Sequence, residues 1–203
     1  MKVKYAMKEV WIGGGRADAP RCNIFLSDDF YTNRGRCIVL IQGIGSVRAG
    51  FWAKSVFTDD GLILGSVLPV LEFAKKTGQS VIVLNPNMAK DPFTGQNIRH
   101  CSTMNEHCKY VWANFLTKNK CKAETLAFIV HSAGGLCMAQ LYKDYKTELL
   151  QRVRCLVFTD AYYHSMFTGL GANQVNALKS YAIHFKAYKK GQAHMDVGEE
   201  FER

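Results

Sequence analysis

Apolar positions along the chain fall into two patterns. Short, near-continuous apolar runs occur at Cys37–Ile41 (CIVLI), Val81–Leu84 (VIVL), Leu126–Val130 and Val153–Phe158. Runs of this length without polar alternation read as strands buried on both faces. Tyr181–Phe185 reads as a fifth, and Val3–Ile12 and Cys22–Leu26 as antiparallel edge strands. Between the runs, apolar residues return every three or four positions. Val67, Val70, Leu71 and Ala74 share one face of a helix over Ser66–Lys76, with Pro69 in its first turn, where proline is tolerated. Met104–Leu116 and Gly134–Tyr145 carry the same period. Strands alternating with helices predict βαβ units. The fold class expected is α/β, with a mostly parallel sheet between two helical layers. No repeat, low-complexity block or linker interrupts the pattern, so residues 1–203 read as one domain.

In such sheets ligands bind beyond the carboxyl ends of the strands. Four strand ends here carry polar or glycine-rich tips: Gln42-Gly43-Ile44-Gly45, Asn85-Pro86-Asn87, His131-Ser132 and Thr159-Asp160. Each alone is compatible with ordinary turn chemistry. The third begins FIVHSAGGLCMAQL, Phe128–Leu141. A nucleophile elbow needs a strand, a nucleophile in a strained turn, and small neighbours. Gly134 stands two positions after Ser132, as that pattern asks, but Val130 stands two before it in place of a small residue. Ser132 reads equally as a nucleophile or as a helix N-cap. On the first reading, the backbone N–H groups of Ala133 and of Ile44 or Gly45 would form an oxyanion hole, with Gln42 and Gly43 beside it.

A triad also needs an acid and a base. Asp160, 28 positions after Ser132 at the end of a strand, suits the acid. Of the histidines, His131 adjoins the serine, His107 precedes it within a helix, His164 follows Asp160 by only four positions, and His184 lies in a strand. His194 alone has the usual chain order and a loop-like setting, GQAHMDVG, and is the expected base.

Charge and cysteine usage narrow the setting. Lys and Arg number 26 against 17 Asp and Glu, a formal net charge of +9. Such a balance favours acidic partners, although here the basic residues are dispersed and no aromatic-interleaved nucleic-acid motif accompanies them. Any nucleic-acid contact is expected to be weak or indirect. Seven cysteines, an odd number without a Cys-x-x-Cys, lie largely in apolar runs and favour a reducing compartment. The N-terminus lacks a signal-peptide core, and no segment approaches the roughly 20 apolar residues of a membrane span. A soluble protein of nucleus or cytoplasm, without membrane contact, is expected. His100-Cys101 and His107-Cys108 offer metal-ligand types in a short span, but the spacing matches no zinc site, and packed thiols at a helix start are the simpler reading. Gly13–Arg16 lacks the Lys-Ser/Thr of a phosphate loop. No cofactor or metal is expected.

Five segments in order, IQGIGSVRAGFWAKSV, SVIVLNPN, EHCKYVWANF, FIVHSAGGL and LVFTDAYYH, together resemble the Arb-two (argonaute-binding protein two) domain family over roughly Cys22 to Phe185. The resemblance implies an α/β-hydrolase-like fold, an elbow serine carried by Ser132, and Arg48 and Trp52 near the site through their place in the RAG-x-W signature. It also implies a part in small-RNA silencing, chromatin or splicing through proteins such as argonautes and histone-modifying enzymes. The chain departs from the family at Gln42, where relatives often carry histidine, at Val130, and in a C-terminal section that reads as shortened, with 18 residues after Phe185. Two functions are therefore expected: an interaction module on a hydrolase scaffold, or a serine hydrolase acting on an acyl bond through Ser132, Asp160 and His194.

Overall fold

The computed structural model describes residues 1–14 and 19–186. Seven strands form one sheet: β1 (Lys8–Gly13), β2 (Arg21–Leu26), β3 (Arg36–Ile41), β4 (Ser80–Val83), β5 (Thr125–His131), β6 (Val153–Thr159) and β7 (Ala182–Phe185). Their spatial order is β1-β2-β4-β3-β5-β6-β7. β2 runs antiparallel to β1 and β4, and β4, β3, β5, β6 and β7 are mutually parallel. The five strands predicted from the apolar runs are all present, four of them inside the sheet and β7 at its edge. The edge strand expected over Val3–Ile12 begins only at Lys8, because Lys2–Tyr5 forms a short helix, α1.

The uninterrupted apolar runs follow from two cores. Side chains alternate along a strand. Cys37, Val39 and Ile41 of β3, with Leu126, Phe128 and Val130 of β5, enter one core; Ile38, Leu40 and Ala127 enter the other. The larger core lies under α4 (Met104–Val111), its π-helical continuation Trp112–Leu116, and α5 (Gly134–Arg152). The smaller lies under α3 (Leu68–Thr77), which buries Leu71 and Ala74. α3 ends at Gly78 in the left-handed conformation, φ 65°, where glycine carries no Cβ penalty. Thr103 caps α4 by accepting from the Glu106 N–H, a capping arrangement legible in the sequence T-x-x-E.

Besides α1, two further helices lie outside the predicted set. α2 (Lys54–Leu64) buries none of its residues and is broken at Gly61, φ 89°. α6 (Ala172–Lys179) buries only Leu178. α5 runs further than the expected Tyr145, continuing past a non-helical Tyr145 to Arg152. The carboxyl ends of β3, β4, β5 and β6 lie side by side, which brings the four polar tips together.

Candidate active site

Ser132 occupies the turn between β5 and α5 with φ 51°, a left-handed conformation uncommon for a residue with a Cβ. The turn is held from three sides. The Ser132 N–H donates to the Thr159 carbonyl at 3.0 Å, and the Ser132 carbonyl accepts from the N–H groups of Gly135 at 3.0 Å and Tyr162 at 3.1 Å. Strain of this kind persists only where surrounding structure over-determines it. The N-cap of α5 is Ala133, and no side chain caps that helix, so the serine hydroxyl is not spent on capping.

Close approach explains the glycines. A Cβ on Gly43 would lie 2.6 Å from Ser132 Cβ and 3.1 Å from its Oγ. One on Gly134 would lie 3.0 Å from the carbonyls of Ile41 and Gln42, and one on Gly135 would overlap the Tyr162 backbone. Val130, where a small residue was expected, is fully buried in the larger core.

The loop after β3 is fastened by the two asparagines that follow β4. Asn87 Nδ2 donates to the Gly43 carbonyl at 2.6 Å, and Asn87 Oδ1 accepts from the Gly45 N–H at 3.3 Å. Asn85 is fully buried, and its Oδ1 accepts from the Ala49 N–H at 3.1 Å and from Gln42 Nε2 at 3.5 Å. Because a trans peptide is planar, turning the Gly43 carbonyl toward Asn87 turns the Ile44 N–H the opposite way. Of the two N–H groups considered in this loop, that of Gly45 is engaged by Asn87. Those of Ile44 and Ala133 have no partner among the described residues. The Ile44 side chain is exposed. The sequence marked Asn85-Pro86-Asn87 as a strand tip and as part of the family resemblance, but it assigned neither asparagine a role.

His131 continues the alternation of β5 onto the face of the smaller core, where its ring meets that of Trp52 with centroids 6.4 Å apart. Its Nδ1 lies 2.9 Å from the Thr159 carbonyl and 3.1 Å from Thr159 Oγ1. A carbonyl only accepts, so Nδ1 carries the proton and Nε2 the lone pair. Burial holds the His131 pKa below its ordinary value, opposed by the Thr159 hydrogen bond and the Asp160 charge. Asp160 itself is exposed, in the left-handed region at φ 48°, with its N–H donated to the Phe185 carbonyl at 2.7 Å. Arg48 is exposed and its carbonyl accepts from the Phe51 N–H at 3.1 Å, closing the turn that delivers Trp52. His164 is exposed and stacks on Tyr163, centroids 5.0 Å apart. His184 is buried between the Ala161 N–H, at 3.3 Å from its Nε2, and the Tyr163 hydroxyl, at 3.2 Å from its Nδ1. Among the described residues no histidine nitrogen is hydrogen-bonded to the Ser132 hydroxyl. His194, the expected base, lies outside the described residues.

A second cluster sits behind the loop. Cys22, Cys101 and His107, all buried, bring one sulfur or nitrogen atom each to within 4.8 Å of one another. Cys22, from β2, is the member that the sequence did not link to the Cys-His segments. The hydrogen bonds at His107 argue against a metal cage. The Asn85 N–H donates to His107 Nε2 at 3.1 Å, so a neutral ring carries its proton on Nδ1, the atom 3.4 Å from Cys101 Sγ. A histidine ligating through Nδ1 would need the opposite tautomer. The arrangement fits an imidazole N–H donated to a sulfur.

Comparison with known proteins agrees with this scaffold. The model of the Arb2 domain matches residues 7–91 and 88–170. This chain belongs to the Arb2 domain family. The Arb2 match spans the elbow, the loop after β3 and the Asn-Pro-Asn tip. Its relatives include the cotranscriptional regulator ARB2A homolog of Dictyostelium discoideum, 29% identical over 79% of this chain and 48% of that protein. The homolog of Xenopus tropicalis is 29% identical over 71% of this chain and 46% of that protein. The chain thus spans about half the length of the curated relatives it matches. Among solved structures, a histone deacetylase from Saccharomyces cerevisiae superposes with a TM-score of 0.54 at 15% identity, covering 87% of this chain and 72% of that one, a likeness of fold alone. The Arb2 fold here is α/β, with a mostly parallel seven-stranded sheet between helical layers.

Proposed function

We propose that this Arb2 domain serves as the protein-binding part of a cotranscriptional regulator, joining proteins of RNA-silencing or chromatin complexes, among them argonautes and histone-modifying enzymes. The observation that carries this reading is the family itself: the curated relatives are named cotranscriptional regulators. The net charge of +9 suits work beside nucleic acid, with RNA or DNA met weakly or through partners. Action in the nucleus accords with this role. Affinity capture of the full chain from nuclear and cytoplasmic extracts, read by quantitative mass spectrometry, tests it. Enrichment of argonaute or chromatin proteins over a charge-matched control is expected, and a capture lacking both would sink the reading.

A second reading rests on the elbow. Ser132 in a left-handed turn, packed against Gly43, supports a nucleophile whose oxyanion hole the N–H groups of Ile44 and Ala133 would form. It would attack an ester, thioester or similar acyl carbonyl, with Asp160 orienting His194 as base. Labelling by a fluorophosphonate reports such a serine directly. The wild type should label and Ser132→Ala should not; absence of Ser132-dependent labelling counts against catalysis while leaving the binding role intact.

A further inference from the structure

Six of the seven cysteines are arranged as neighbouring pairs: Cys22 with Cys101, Cys37 with Cys121, and Cys108 with Cys137. All seven are free thiols. Among the described residues, only the first pair has an imidazole against it. His107 Nδ1 lies 3.4 Å from Cys101 Sγ and, with Nε2 accepting from Asn85, is the proton-bearing atom. Cys22 Sγ lies 3.5 Å from the Asn85 carbonyl. A donor aimed at one thiol of a close pair stabilises its thiolate, the form that attacks oxidants, and leaves the other thiol to resolve the product.

We propose that Cys22 and Cys101 form a thiol–disulfide site, oxidised by a small peroxide with Cys101 as the attacking sulfur and Cys22 as the resolving one. The Cys101 thiolate attacks one oxygen of hydrogen peroxide and the O–O bond breaks. Cys101 becomes a sulfenic acid, and the departing hydroxide takes up the thiol proton to leave as water. The Cys22 sulfur then displaces the sulfenic hydroxyl, which leaves with the Cys22 proton as a second water. Two thiols give up two electrons, one peroxide accepts them, and one disulfide and two waters result.

Two further features support the assignment of roles. The Cys101 thiol is drawn down, first by its hydrogen bond with Cys22 and then by His107, against burial and the Glu106 charge, whereas the Cys22 thiol is pushed up. Burial limits access, yet the chain between β4 and α4, which carries Cys101, contains neither a helix nor a regular strand. Such segments open locally at small free-energy cost, and peroxide is close to water in size. A bridge here would tie β2 to this segment beside Asn85, whose side chain holds the loop after β3.

The reduced full-length chain, treated with stoichiometric hydrogen peroxide, quenched with an alkylating reagent and mapped by non-reducing peptide mass spectrometry, tests the site. The expected first product is a Cys22–Cys101 bridge with the other five cysteines alkylated. His107→Gln keeps an acceptor for the Asn85 N–H but takes away the imidazole nitrogen that faces Cys101, and should slow bridge formation about tenfold. Cys22→Ser should leave Cys101 as a sulfenic acid trappable by dimedone. The proposal is overturned if no bridge forms, if the Cys37–Cys121 or Cys108–Cys137 pair oxidises as fast, or if folded His107→Gln reacts at the wild-type rate. Should either variant fail to fold, the ranking of the three pairs in the wild type still decides.

Discussion

At the scale of single residues, the candidate site depends on approach distances more than on charge. Gly43 has no left-handed backbone to excuse it; what requires glycine is the proximity of Ser132. Gly43→Ala places a methyl 2.6 Å from Ser132 Cβ, and overpacking of this kind costs about 1–3 kcal/mol. The expected outcome is a lower denaturation midpoint and loss of whatever fluorophosphonate labelling the wild type shows. Unchanged values of both would mean that the two loops are not in contact. Ser132 itself was legible because a strand, a serine and two glycines in series describe a turn. The roles of the asparagines were not, because their work on that loop is done across 36 to 44 positions of chain, largely on carbonyl and N–H groups that a sequence does not display. Cys22 escaped notice for the same reason: its neighbours Cys101 and His107 are brought to it only by the pairing of β2 with β4.

At the scale of elements, the junction between the two long helical segments is fastened by one cation. Arg152, the last residue of α5, is 4% exposed and donates to the carbonyls of Leu116, Cys121 and Ala123 while pairing with Glu148. It thereby closes the turn that carries the chain from the π-helical end of α4 into β5. Arg152→Met would leave those buried carbonyls without a donor, and a loss of about 3–5 kcal/mol is expected in urea unfolding. A loss under about 1 kcal/mol would show that water replaces the guanidinium. Element existence was read well where burial was complete: the inner strands announce themselves because both faces are apolar. α2 and α6 were missed because they bury almost nothing, so no periodic stripe marks them. The extension of α5 beyond Tyr145 was missed because Lys146, Thr147 and Glu148 interrupt the apolar period.

At the scale of the whole molecule, a sheet buried on both faces sets four strand ends side by side and lets remote segments of chain meet there. The fold class followed from the alternation of runs and stripes. The strand order did not, since register and crossover are decided by packing. The basic surface charge is a property of the same scale, and binding that depends on it should weaken as salt rises toward a Debye length of a few ångströms.

α2 carries a consequence for how the molecule comes apart. It contributes no buried side chain, is interrupted at Gly61, and exposes Phe57, Leu62, Ile63 and Leu64. Its release therefore costs the core little, which makes it a weak cooperative unit among the described residues. Under native conditions its amides should exchange with deuterium well before those of α3 and β5, and limited proteolysis should cut first between Lys54 and Leu64. Protection equal to that of α3 would contradict this. Trp52, which meets His131 at the elbow, stands just ahead of that segment. A partner that gripped α2 would therefore hold chain that begins just beyond Trp52, the residue whose ring lies beside His131.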